Sequence, residues 1–364
     1  MKKYLLIFAG WLLLIFFINK VSVNFIPDRT SYELRFKTPF TFSLAPLLNM
    51  DGKHYLDIAC TGYTASNTFD LRVFFPVYPL LIKSFSLNCR INPVMVGLAI
   101  SWISLFFSAL ILTKVVKEKN GLKTLLLFLF FPTSFFFAAY YTESVFLLLV
   151  LLTFWFLDRK KYLAASFIAA IASATRLLGI VLFPVLLYQA YRDYKEDKKL
   201  RLEVFLAPLG LIFFSIYNFF STGSAFTFLS TQSYWNRPVG PAAPFYGLAR
   251  QFVNVVSGPL ASYDSPFVYP VILIEFAVLV YVLAILYFSF KKIKNTYWIY
   301  MLVSLAIVLF AGPSSFPRYA LVLFPAYLFL GEKLSGFRYG IYLFCSLILF
   351  LFMAGLYLRG YWSS

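Results

Sequence analysis

In a chain that is otherwise mostly apolar, residues 49–79, NMDGKHYLDIACTGYTASNTFDLRVFFPVYP, form a long polar interval with a concentration of titratable side chains. That stretch holds Asp51, Asp57, Asp70, the sole histidine His54, and the cations Lys53 and Arg72. Asp51 is the sharpest candidate for chemistry. It sits in an Asp-Gly pair beside Lys53 and His54, just after the apolar Leu47-Leu48. A carboxylate partly desolvated at a membrane interface can be tuned to act as a general base; an Asp-Gly turn is the competing reading. Asp57 falls on a predicted short helix over 54–59, where a solvated or capping role suits it better, and Asp70 reads as a loop charge. Several other chemistries are excluded. There is no P-loop, dinucleotide glycine fingerprint, HExxH or CxxC pair. With one histidine, a His-rich metal site is out, and a Ser-His-Asp triad would have to be built around His54.

These residues need elements to position them, and the composition says what kind. The chain is 61% hydrophobic and 13% charged over 364 residues, with a mean hydropathy of +0.79. A soluble surface of that size would carry far more charge. Apolar runs of about 20 residues recur to the last residues, which predicts a polytopic all-α membrane protein; a β-barrel would show shorter alternating segments. The 45 Phe and 26 Tyr suit lipid-facing surfaces and interfacial belts. The net charge of +17 raises the question of nucleic acid. Most Lys and Arg sit in short clusters between apolar runs, however, which is the positive-inside pattern of cytoplasmic retention. Cys60, Cys89 and Cys345 form neither a disulfide framework nor a metal cluster by spacing. A disulfide between Cys60 and Cys89 is chemically allowed, since both fall in one external segment, but spacing does not establish it.

The charge pattern orients the chain. Residues 1–18 read as an uncleaved first helix with its N-terminus in the cytoplasm. A long external segment follows over 20–93, with apolar patches at 40–48 and 74–82 too short to span and better read as interfacial or re-entrant helices. Spans are expected over 93–116, 122–139, 145–157, 162–174, 177–191, 204–220, 267–290, 297–310, 320–330 and 339–358, about eleven with the first. A second external loop covers 221–266 and a third external turn 311–319, all within one integral membrane domain, residues 1–364. Every plausible active-site acid then lies outside: Asp51, Asp57, Asp70, Glu143 and Asp264. An outer-face enzyme has no access to nucleotide-sugars, so a donor must be membrane-borne. Glu143 opens a helix, where an acid complements the dipole or serves the site by orienting Lys53 or an arginine. Glu275, within an apolar run, is expected to pair with an arginine. Arg176 and Arg318 lie near outer helix ends, where arginine's planar fork suits a phosphate; snorkelling is the alternative. Tyr55, Tyr63, Tyr78, Tyr234 and Trp235 are candidates to stack on sugar, in a chain where most aromatics must be packing.

Four blocks in order carry a resemblance. They are Met50-Asp51-Gly52-Lys53-His54-Tyr55-Leu56-Asp57-Ile58-Ala59 with Gly62-Tyr63 and Phe74-Phe75-Pro76-Val77-Tyr78-Pro79; Tyr141-Thr142-Glu143-Ser144; Ala174-Thr175-Arg176-Leu177-Leu178-Gly179; and Phe316-Pro317-Arg318-Tyr319. Together they resemble the PIG-V-like mannosyltransferases, the family of GPI mannosyltransferase 2 and its prokaryotic relatives, with Met50 where a Trp is usual. The resemblance implies a GT-C type glycosyltransferase fold with an essential acid in a large first external loop. It implies an inverting hexosyltransferase that moves a hexose, mannose first, from a polyprenyl-phosphate donor to a glycolipid or glycan acceptor at the outer face of a prokaryotic cytoplasmic membrane. Asp51 would be the general base. Arg318 and Arg176 would bind the donor phosphate, with Lys53 and His54 as further candidates, and Glu143, Asp57 and Tyr55 would support them. The partners are then the donor, the acceptor and membrane lipid, not nucleic acid. No cofactor is implied, and no cluster of acids argues for a metal. A lipid-linked sugar flippase or transporter, and an inactive membrane scaffold, are the alternative readings. A flippase should line a continuous polar path, whereas here the polar residues gather on one face.

Overall fold

Backbone groups in an apolar surrounding must be paired within their own segment, which makes the helix the default element. The computed structural model describes residues 2–29, 44–63, 70–115, 120–235, 243–258, 265–310 and 315–363, and among these it is helical with no strand. Asp264 and parts of all three expected external segments lie outside the described residues. In chain order the helices are α1 (Lys2–Ser22), α2 (Gly52–Thr61), α3 (Val77–Phe85), α4 (Pro93–Val115), α5 (Gly121–Leu129), α6 (Glu143–Leu157), α7 (Tyr162–Ser173) and α8 (Leu182–Asp197). They continue with α9 (Leu209–Thr222), α10 (Thr227–Ser230), α11 (Ala243–Ser257), α12 (Val268–Ser289), α13 (Asn295–Phe310), α14 (Phe316–Ala320), α15 (Phe324–Lys333) and α16 (Gly336–Leu358).

Among the described residues, five helical segments are long and apolar enough to cross a membrane: Lys3–Ser22, Pro93–Val115, Leu202–Thr222, Val268–Ser289 and Gly336–Leu358. Three more, α6, α7 and α13, are apolar but shorter. Two expected spans are interrupted. The run 122–139 is α5, a turn through Pro132, and one 3-10 turn over Ser134–Phe137. Proline lacks the N–H that the helix ladder needs and clashes with the preceding turn. The run 320–330 is likewise split, because α14 stops at Ala320 and α15 begins at Phe324 with Pro325 in its first turn. Of the patches at 40–48 and 74–82, the described residues include a 3-10 turn over Ala45–Leu48 and α3, which buries Tyr78, Pro79 and Ile82; residues 40–43 lie outside the described residues.

Helix α6 is the hub. It packs along α4 on one side and α7 on the other, burying Glu143, Val145, Phe146, Leu147, Val150, Leu151 and Phe154. Its first turn is held by tyrosines that lean on α4. The Tyr140 hydroxyl donates to the Pro93 carbonyl at 3.0 Å, and Tyr78 donates to the Gly97 carbonyl at 3.0 Å. Gly97 makes this approach possible, since a Cβ there would sit 2.2 Å from a Tyr140 ring carbon. Gly97→Ala is therefore expected to force Tyr140 and the turn behind it to shift, at a cost of about 1–3 kcal/mol. Thermal unfolding in detergent checks this beside Gly10→Ala, which meets nothing within 4 Å and should melt with the wild type.

Candidate active site

The turn before α2 is held in a conformation that its sequence does not favour. Met50 has φ +58°, in the left-handed region, which costs a non-glycine residue on the order of 1–3 kcal/mol. Hydrogen bonds from distant elements offset that cost. The Tyr141 hydroxyl donates to the Asn49 carbonyl at 2.6 Å and accepts from the Asp51 N–H at 3.0 Å. Tyr357 of α16 donates to the Leu47 carbonyl at 3.0 Å, and its own carbonyl accepts from Asn49 Nδ2 at 2.5 Å. The result fixes Asp51 at the N-terminus of α2 with its side chain about a quarter exposed (27%).

Arg318 reaches Asp51 from the other end of the sequence. Its Nη1 donates to Asp51 Oδ2 at 2.6 Å, while its Nε donates to Glu143 Oε1. The guanidinium lies over the rings of Tyr141 and Phe136, 4.6 and 5.3 Å from their centroids, an arrangement that favours a cation. Burial disfavours the Arg318 charge, but Glu143 and then Asp51 outweigh it and hold the pKa well above the ordinary arginine value. The break at Pro132 serves this placement. Thr133 Oγ1 donates to the Pro317 carbonyl at 2.9 Å, and the following 3-10 turn presents Phe136. On the opposite side, buried Glu275 of α12 accepts from the Ser315 N–H at 2.7 Å and from Gln251 Nε2 at 3.3 Å. Ser315, with φ +65°, is the residue immediately before α14. The acid expected to pair with an arginine thus grips the backbone three residues before one.

Arg176 completes the set. Its Nη1 donates to the same Glu143 Oε1 and to Thr142 Oγ1 at 3.2 Å, and its guanidinium faces the Tyr319 ring at 5.5 Å. It stands in extended conformation before a 3-10 turn over Leu177–Val181. That turn backs onto α7 so closely that a Cβ on Gly179 would lie 2.3 Å from the Ala172 carbonyl. Charges therefore alternate along Arg176, Glu143, Arg318 and Asp51. Glu143 is fully buried and the two arginine side chains are 11% and 14% exposed.

Asp51, Arg176 and Arg318 line one cavity of about 420 Å³, a size that suits a small ligand. Tyr55, Phe74, Phe75 and Phe228 also face it, as do the aliphatic Leu177, Leu178, Ile307 and Val308. Tyr55 is buried and its hydroxyl is pushed up to about 12, chiefly by that burial. Several polar atoms are unused. Asp51 Oδ1, Arg318 Nη2, and Nε and Nη2 of Arg176 make no hydrogen bond among the described residues, so an acceptor atom and several donors stand at one wall.

Not every expected residue is there. Lys53, His54 and Asp57 do not line the cavity. His54 stacks on Phe74 with centroids 5.2 Å apart, and burial lowers its pKa below 6.5, which leaves a neutral imidazole at pH 7. Tyr63 packs on Phe214 and Tyr217, Tyr78 is buried against α4, and Tyr234 is exposed. Asp70 pairs locally with Arg72. Tyr141, Tyr357, Phe136 and the grip of Glu275 on Ser315 carry no signal in the sequence that marks them as part of the site. Tyr141 was visible in its motif only as part of a turn, and Tyr357 lies within an apolar helix. Among the described residues no group of three or more His, Cys, Asp and Glu is placed to hold a metal. No protein-family model, curated protein or solved structure matches the chain.

Glu143→Gln removes the charge that both arginines share. It is expected to destabilise the protein by about 3–5 kcal/mol, the usual cost of leaving buried partners uncompensated. Chemical unfolding of the purified variant beside the wild type measures it, and a loss within the range of a surface substitution would show that the pairs contribute little.

Proposed function

We propose that the chain is a membrane-embedded inverting glycosyltransferase. It moves a hexose, mannose by the resemblance of its motifs, from a polyprenyl-phosphate donor to a hydroxyl of a glycolipid or glycan at the outer membrane face. The observation that carries this reading is the meeting of Asp51, Arg176 and Arg318 at one cavity wall, with Glu143 behind them. Three of the four sequence blocks that carry the resemblance contribute the two arginines and Glu143, and the remaining one contributes Asp51. The disulfide between Cys60 and Cys89, which ties the end of α2 to the turn after α3, supports an oxidising outer side for this face.

Asp51 acts as the general base through Oδ1. The acceptor oxygen attacks C1 of the hexose as its proton passes to Asp51. The new C1–O bond forms opposite the breaking bond to the phosphate oxygen, the anomeric centre inverts, and lipid phosphate leaves. Arg176 is the first phosphate ligand, because two of its nitrogens are uncommitted and the aliphatic wall of Leu177, Leu178, Ile307 and Val308 beside it suits a prenyl chain. Arg318 has a second task. While Asp51 is ionised it shares the Arg318 charge with Glu143. Once Asp51 has taken the acceptor proton, that claim lapses, and Arg318 can meet the growing charge on the leaving phosphate through Nη2. Proton transfer and leaving-group stabilisation are thereby coupled.

The test uses purified protein in lipid with radiolabelled polyprenyl-phosphate-mannose and an extract of envelope glycolipids. Wild type should move label to an acceptor. Asp51→Asn should be slower by at least about a hundred-fold, the scale of a lost general base, and Arg318→Ala should also be impaired. Equal transfer by wild type and Asp51→Asn would remove Asp51 from the chemistry and overturn the mechanism.

A further inference from the structure

Residues 359–363, which follow α16, are pinned from three directions. Arg359 Nε donates to the Ile26 carbonyl at 3.1 Å, and the Arg359 carbonyl accepts from the Arg29 N–H at 3.0 Å. The Tyr361 N–H returns to the Leu356 carbonyl at 2.9 Å, and its ring meets Phe267 edge-on at 5.1 Å. So held, the next two residues, Trp362 and Ser363, become part of the wall of the cavity that contains Asp51. Tyr357, near the C-terminal end of α16, lines the same cavity and bonds the backbone of Leu47 and Asn49.

Ser363 is 2% exposed, and among the described residues its hydroxyl has no hydrogen-bond partner. A buried hydroxyl without a partner costs about 1–3 kcal/mol, and such a group at a cavity wall calls for an explanation. The neighbouring indole supplies one. A pyranose presents a face of C–H bonds, which suits an aromatic ring, and a rim of hydroxyls, which suits a small polar side chain. The groups beside Arg176 in the lining are aliphatic and cationic and match a lipid phosphate, not a sugar ring.

We infer that Trp362 and Ser363 form the subsite for the acceptor pyranose, with Trp362 against its C–H face and the Ser363 hydroxyl on its rim, so that another of its hydroxyls meets Asp51. The assignment of this sugar as the acceptor rests on the glycosyltransferase reading above; the pyranoside site itself does not require turnover.

The full chain labelled with fluorotryptophan and held in nanodiscs is followed by fluorine NMR while methyl α-D-mannopyranoside and methyl α-D-glucopyranoside are titrated separately, with glycerol as control. The Trp362 signal is the one absent from Trp362→Phe. A saturable shift with at least one pyranoside, none with glycerol, and about ten-fold weaker binding in Ser363→Ala support the subsite. A Trp362 signal that no pyranoside moves, or that glycerol moves equally, overturns it. In the transfer assay, Trp362→Ala should raise the acceptor KM about ten-fold and leave the donor KM unchanged, and an unchanged acceptor KM also overturns the subsite. Should the signal shift while no label is transferred, the transferase reading falls and the pyranoside site stands.

Discussion

The rest of the structure depends on a carboxylate that no water reaches. Glu143 is buried at the start of α6, with one oxygen shared by Arg176 and Arg318 and the other without a partner among the described residues. An isolated charge in such a place is several kcal/mol uphill. The two guanidinium groups are what make it tolerable, and they in turn are held where they would otherwise snorkel to an interface. Because both arginines are pulled inward, the wall they form is a fixed array of donors, which is what stabilising a developing anion requires.

The neighbouring irregularities follow from that need. A continuous helix over 122–139 would carry Thr133 and Phe136 past Arg318, whereas the turn at Pro132 delivers one to the Pro317 carbonyl and the other to the guanidinium face. Left-handed residues stand next to both ends of the Asp51–Arg318 pair, Met50 immediately before Asp51 and Ser315 three residues before Arg318. Each is held by a bond from a distant element, Tyr141 and Tyr357 for the first and Glu275 for the second. Strain that is over-determined by its surroundings is a common mark of functional sites.

The helical character was legible from composition, and so were four of the residues that meet: Asp51, Glu143, Arg176 and Arg318. They stood out because a charge is conspicuous among apolar neighbours. Which charge pairs with which was not legible. The bonds from Arg318 to Glu143 and to Asp51 close over 175 and 267 residues, and no local period encodes that. The same holds for the tyrosines. In a chain with 26 of them, nothing local separates Tyr141 and Tyr357, whose hydroxyls fix the Asp51 turn, from those that only pack. His54 and Lys53 illustrate the converse: adjacency to Asp51 in sequence places them on other faces of α2. The runs 122–139 and 320–330 are not continuous helices, because an apolar average registers the run but not the break near Pro132 and Pro325.

The central claim is that the Arg318 charge is divided between Glu143 and Asp51 and passes to the phosphate when Asp51 is neutralised. The measurement that tests it most directly is the affinity of polyprenyl monophosphate, without any sugar, for wild type and Asp51→Asn in the same lipid. Asn at position 51 mimics the neutral state, so the variant should bind the phosphate about ten-fold more tightly, the effect of one charge-assisted hydrogen bond made available. Equal or weaker binding by Asp51→Asn would mean that Arg318 is not released to the phosphate, and the coupling proposed for this site would be wrong.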